Sequence, residues 1–114
     1  MQSDKQLDQV LLTGYLAVLS KVTLEKMLNV YIVQSSLYLK EISNAIKADS
    51  QLLWQNQCHK MKGAAASVGL KLVHAKLNDI EKSTDQDRTV SHSQLCVLNG
   101  QAIDAYQQWL VALD

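Results

Sequence analysis

The sequence predicts an all-α protein: an antiparallel four-helix bundle with a short additional N-terminal helix. Three observations lead there. The 114 residues contain no proline and only four glycines, while Ala, Leu, Gln and Lys are plentiful. Apolar residues recur at spacings of three and four through most of the chain, the period of a helix with one buried face. The stretches between these patterns are short, which sets consecutive helices antiparallel. A chain of this length with 47% hydrophobic residues forms one globular domain, residues 1–114, with a real core. It has no internal repeat, low-complexity segment or interdomain linker.

Taken in order, Ser3 and Gln6 have capping-box spacing and open a first helix carrying Leu7, Leu11, Tyr15 and Leu19. Gly14 weakens its middle, so a bend or a break into two short helices is expected. Lys21 and Val22 mark a joint, and Thr23 is the expected N-cap of the longest helix, running to about Lys47. Its buried stripe is Leu24, Met27, Leu28, Tyr31, Ser35, Tyr38, Leu39, Ile42, Ala45 and Ile46. Val30, Val33 and Leu37 widen that face, and the first helix is expected to cover them. The alternative is that they join a docking surface.

Asp49 or Ser50 caps the next helix, in which Trp54, Cys58, Met61, Ala65 and Val68 form the inward stripe. Gly69 followed by Leu70 fits a left-handed stop. A further helix uses Leu70, Val73, Leu77 and Ile80. Thr84 to Val90 is read as a loop, and Ser91 with Gln94 as the capping box of the last helix. That helix buries Leu95, Leu98, Ala102, Ala105 or Tyr106, Trp109 and Leu113. Asn99-Gly100 lies inside it, where close packing or a slight bend is expected.

Composition excludes several function classes. No apolar run is long enough to cross a bilayer, and the polar start is no signal peptide, so a cytoplasmic location without membrane contact is expected. Net charge is zero, yet Ser50 to Asn78 holds Lys60, Lys62, Lys71 and Lys76 and no acid. This suits a phosphate or an acidic partner surface. Four lysines without interleaved aromatics do not make a nucleic-acid groove. Glycine-flanked serine elbows and phosphate-cradling glycine loops are absent. His59, His74 and His92 lie on separate elements without a histidine pair at ligand spacing, so no metal site and no cofactor is expected. His74 and His92 read as surface histidines, and Cys58 and Cys96 as buried free thiols. Cys58, the one cysteine beside a histidine, points inward.

His59 falls off the inward stripe of its helix and should reach water. Lys62 and Gly63 lie over the same patch at i+3 and i+4. An imidazole with a free lone pair near neutral pH accepts a phosphoryl group without an internal base. Lys62 can orient and screen the phosphate without locking it, since a surface pair contributes only about 0–1 kcal/mol. Gly63 costs the helix about 1 kcal/mol, and its bare backbone would let another protein's active site close over the ring.

His59-Lys60-Met61-Lys62-Gly63-Ala64-Ala65-Ala66-Ser67-Val68-Gly69-Leu70 resembles the signature of histidine-containing phosphotransfer (HPt) domains. It is most similar to the C-terminal HPt domains of bacterial hybrid sensor kinases of the Arc and Tor types. Outside these residues the likeness rests on helix order and on weaker points such as Ile80-Glu81. The family often has phenylalanine in the long helix; Tyr31 stands there, and this chain has no Phe.

The resemblance implies that His59 is phosphorylated at its outer ring nitrogen, that Lys62 assists the phosphate and that Gly63 gives access. Gln55 and Ala66 would join them in the docking patch. It implies a relay intermediate without an ATP site or independent catalytic site of its own, monomeric, whose partners are receiver domains. The receiver domain would supply the aspartyl phosphate and Mg²⁺. The domain could stand alone or form the cytoplasmic C-terminal part of a membrane-bound sensor kinase. Two other readings remain: a non-transferring adaptor that binds a receiver or kinase, and a zinc-binding bundle using His59 with a neighbouring copy.

Overall fold

The computed structural model describes residues 5–82 and 87–113. Among these, five helices follow in order: α1 (Gln9–Leu16), α2 (Lys21–Lys47), α3 (Gln51–Ser67), α4 (Lys71–Ile80) and α5 (Arg88–Ala112). Helix α2 packs on α3 and α5, and α4 packs on the same two, so α2 to α5 close a ring around one core. The predicted all-α bundle with a short N-terminal helix is therefore the observed fold. Three of its helices are long, whereas α4 has only 10 residues.

The first predicted helix is broken in two, as its sequence allowed, but not at Gly14. Lys5 and Gln6 are helical, Leu7 pairs with Leu70 in an isolated antiparallel bridge, and Asp8 caps α1 by accepting from Leu11 N. The Asp8 amide donates to Gly69 O at 2.8 Å. These bonds stop the first helix because Leu7 and Asp8 spend their backbone groups on the end of α3. The predicted cap at Ser3 lies outside the described residues. Tyr15 donates its hydroxyl to Ser67 O at 2.8 Å, a second tie to the same end.

Helix α2 starts at Lys21, two residues before the expected cap. Ser20, with φ −77° and ψ 160°, accepts from Thr23 N at 3.1 Å, so Thr23 is capped rather than capping. The joint is thus Ala17–Ser20, and Lys21 and Val22 are helical. Leu24, Leu28, Tyr31, Ser35, Ile42 and Ala45 are buried, with Met27, Tyr38, Leu39 and Ile46 packed at the margin. Helix α1 does not cover Val30, Val33 and Leu37, which are more than half exposed. Its contacts with Ser67, Gly69 and Leu70 hold it at the bundle end instead.

The α2–α3 and α3–α4 connections use the same device. Asp49 (φ 49°) and Gly69 (φ 78°) are left-handed, and the next residue's amide reaches back five positions, Ser50 N to Ala45 O and Leu70 N to Ala65 O. Ser50, not Asp49, caps α3 by accepting from Leu53 N. Asp49 is held by Arg88 Nη1 at 3.0 Å.

Helix α5 begins at Arg88, inside the segment read as a loop, because the Asp87 carboxylate accepts from Thr89 N and Val90 N. A charged cap nearer the N-terminus displaces the Ser91–Gln94 box, and Ser91 is buried instead. Leu95, Ala102, Ala105, Tyr106 and Leu110 are buried, Leu98 and Trp109 flank the core, and Leu113 is exposed. The helix runs unbroken through Asn99-Gly100. Gly100 is not closely packed, since a Cβ there would meet nothing within 4 Å. The buried neighbour Asn99 is the reason for the polar pair: Tyr31 donates to its Oδ1 at 2.6 Å, and its Nδ2 donates to Ser35 Oγ at 3.1 Å. Ser35 passes its own hydrogen to Ile32 O. A polar network closed in this way fixes the register of α2 against α5.

Gly69 should not tolerate a side chain. Its φ of 78° strains any L-residue, and a Cβ would press on Leu12 at 3.2 Å. Gly69→Ala is expected to lower unfolding free energy by about 1–3 kcal/mol, while Gly100→Ala should be neutral or add up to about 1 kcal/mol. Urea unfolding of the two variants measures both.

Candidate functional site

The site is built from the outward face of α3 and the turn after α4. Trp54, Cys58, Met61 and Ala65 are wholly buried, which fixes the rotation of α3 about its axis. His59, the residue after Cys58, is consequently turned outward, its side chain 72% exposed. Gly63 and Ser67 continue its face at i+4 and i+8, and both are exposed. A Cβ on Gly63 would meet nothing within 4 Å, so its lack of a side chain serves no packing inside the bundle.

Trp54 also sets the second half of the site. Its indole Nε1 donates to Ile80 O at 3.0 Å in the core, pinning the last turn of α4 to α3. The next residue, Glu81, is thereby held beside His59 and Lys62 with only 5% of its side chain exposed. Glu81 Oε1 accepts from Lys62 Nζ, and Glu81 Oε2 lies 3.4 Å from His59 Nδ1. Lys62 Nζ reaches Asn78 Oδ1 at 3.3 Å as well.

Burial by itself would push the Glu81 carboxyl up. The hydrogen bond and charge of Lys62 outweigh it, with a smaller contribution from His59, and hold the group below the usual carboxylate range. An ionised Glu81 facing Nδ1 favours a hydrogen on that nitrogen. The lone pair then sits on Nε2, the ring atom away from the carboxylate. Arranged so, the imidazole is a largely exposed nucleophile whose free nitrogen is the one away from Glu81.

Of the residues singled out from sequence, His59, Lys62 and Gly63 lie together. Lys62 is only 17% exposed and paired, so the lysine-rich stretch is less positive here than its composition implied. Gln55 is half-buried and Ala66 exposed, both toward α4's side of α3. Glu81 was visible only as a weak point of resemblance, and its contacts with His59 and Lys62 were not read. The signal existed: Leu77, Ile80 and Glu81 share one helical face, and a carboxylate on a buried face needs a partner. Beside this patch, between α2 and α3, lies a cleft of about 320 Å³ lined by Met27, Val30, Gln34, Ala64, Ser67 and Val68, among others.

The remaining histidines and thiols are arranged differently from expectation. His92 is half-buried rather than a plain surface residue, because its Nε2 lies 2.9 Å from Leu39 O across the α2–α5 contact. Cys96 stands 3.8 Å from the same nitrogen, an i,i+4 neighbour overlooked in the sequence. His74 is half-buried too. Cys58 is buried and Cys96 half-buried, both free. Burial, then the Glu81 charge, pushes the Cys58 thiol up to about 12, which leaves it inert as a nucleophile. Among the described residues no group of three or more His, Cys, Asp or Glu side chains could hold a metal ion, and no helix is long and apolar enough to cross a membrane.

The Glu81 carboxyl ties stability to pH. A carboxyl held below its unfolded value of 4.5 stabilises the fold above that value, and the contribution disappears as pH falls through the folded pKa. Glu81→Gln removes it. Wild type should be more stable than the variant at about pH 7, with the gap closing as the pH falls below 4.5, in denaturant titrations at each pH.

Comparison with known proteins follows the same lines. The family model described as the Hpt domain matches residues 26–111. The histidine-containing phosphotransfer domain of ArcB from Escherichia coli superposes with a TM-score of 0.89 at 20% sequence identity, covering 100% of both chains. A search of curated proteins finds no match.

Proposed function

Since the chain belongs to the Hpt domain family, with a phosphotransfer role in phosphorelays, we propose that it is a relay intermediate whose phosphoacceptor is His59. The phosphoryl group arrives from an aspartyl phosphate on a receiver domain and leaves to an aspartate on another. One observation carries this reading: a solvent-facing imidazole whose Nδ1 is held by a buried carboxylate, leaving Nε2 open.

In the accepting step the Nε2 lone pair attacks phosphorus, the N–P bond forms, and the acyl P–O bond breaks with its electron pair leaving on the aspartate. Lys62, which shares the Glu81 carboxylate with His59, would assist the phosphate from its place beside Glu81 and Asn78. The partner supplies Mg²⁺ and the rest of the catalytic apparatus, so this domain is carrier and substrate. Gly63 keeps the surface one turn from His59 low, and the receiver closes over it. The apolar cleft at Met27, Val30, Ala64 and Val68 begins one to two turns further along α3 and is the natural seat for an apolar element of the same receiver. Gln55 and Ala66 would border the contact on its other side. A monomeric, cytoplasmic domain completes the proposal.

Phosphorylated receiver with Mg²⁺ should label wild type and leave His59→Gln unlabelled, read as acid-labile phosphate. Equal labelling would overturn the assignment, and receiver binding without any phosphohistidine would favour a non-transferring adaptor. Gly63→Val separates access from folding. It should fold normally, because nothing lies within 4 Å of a Cβ there. Transfer from the receiver should nonetheless slow on the order of 10- to 100-fold through misplacement of the reacting atoms, measured by single-turnover kinetics.

A further inference from the structure

Glu81 presents its two oxygens to two different groups. Oε1 takes the Lys62 ammonium and Oε2 faces His59 Nδ1 at 3.4 Å. An orienting group for the imidazole could be neutral, as an amide oxygen would accept the same hydrogen. Here it is a carboxylate with 5% exposure, kept ionised by its neighbours. Its negative charge matters most when the ring becomes positive, and that happens once Nε2 has bonded to phosphorus while Nδ1 still carries hydrogen.

Resting on the reading of His59 as phosphoacceptor, we infer that Glu81 is a positioning residue for the return leg: it keeps the proton on Nδ1 of the phosphorylated ring, so the phosphoryl group departs from an imidazolium. In that departure the N–P bond breaks and its electron pair stays on Nε2, while a P–O bond forms to the receiving carboxylate. With the proton retained on Nδ1 the leaving ring is neutral imidazole. Without it the ring would leave as imidazolate, a far more basic and slower leaving group. The proton remains on Nδ1 throughout, and no further acid or base is consumed.

The charged and titratable groups around the ring set the direction. On α3 itself Lys62 opposes a positive ring, Lys60 is an exposed sequence neighbour, and Cys58 remains a buried neutral thiol. After α4 comes Glu81, with the uncharged Asn78 beside Lys62. Among the described residues, α2, α4 and α5 place no other ion pair on His59 or Glu81. Glu81 is therefore the group that favours the protonated ring, and Lys62 the one that disfavours it.

The test loads wild type, Glu81→Gln and Lys62→Met chemically with phosphoramidate, which needs no receiver, and titrates the phosphorylated ring by nitrogen and phosphorus NMR. His59→Gln assigns the signal, and tryptophan emission, from Trp54 and Trp109 together, checks the fold of each variant. Relative to wild type, Glu81→Gln should weaken proton binding by the phosphorylated ring about two- to fivefold, the range of a partly exposed charge pair. Lys62→Met should strengthen it. Transfer to a receiver should then fall off at lower pH in Glu81→Gln than in wild type. Coincident titrations of wild type and Glu81→Gln, with His59 phosphorylated in both, would overturn the role of Glu81 and leave the phosphoacceptor reading standing. No phosphate on His59 from either phosphoramidate or receiver would overturn both.

Discussion

A carboxylate almost out of reach of water has to be compensated, and in this bundle the compensation organises everything near it. Glu81 sits where α4 ends, and stripping its hydration would be expensive without the ammonium of Lys62 on one oxygen. Lys62 can deliver that ammonium only if α3 is rotated so that its stripe of Trp54, Cys58, Met61 and Ala65 points inward. The same rotation carries His59 to the outside. Removing one partner would leave the other uncompensated, so the pair acts as a lock between two helices as well as part of a reactive patch.

The lock is supported from behind. The Trp54 indole bonded to Ile80 O spans the two helices within the core, one residue before Glu81. On the far side of the bundle the Tyr31–Asn99–Ser35 chain does similar work between α2 and α5. Both are buried polar contacts with partners on another helix, and such contacts select one register among several that apolar packing alone would permit. Tyr31 illustrates the difference between likeness and identity. A phenylalanine there would pack equally well but could not satisfy Asn99.

Much of this was legible in the sequence, and the reasons are specific. The three–four spacing of Leu24, Leu28 and Tyr31, and of Trp54, Cys58 and Met61, reports directly which side of a helix is dry. The stop at Gly69 was readable because a left-handed residue there favours glycine. What failed were choices among adjacent cap-forming residues. Ser20 and Thr23, or Asp87 and Ser91, differ little in intrinsic preference, and the geometry of the preceding turn decides between them. Covering of Val30, Val33 and Leu37 was misjudged because amphipathicity does not say which neighbour a short helix will choose. The site was only half visible: His59, Lys62 and Gly63 are neighbours along one helix, while Glu81 joins them through tertiary structure, 19 residues beyond Lys62.

The placement of Cys58 has a chemical consequence for durability. A sulfur adjacent in sequence to the exposed imidazole would, on the opposite rotation of the helix, compete for phosphorus in the proposed relay and invite oxidants to the patch. Held in the dry interior with its ionisation suppressed, it does neither. The helix thus segregates two nucleophiles one residue apart, and an oxidant reaching the imidazole would not meet the Cys58 thiol beside it.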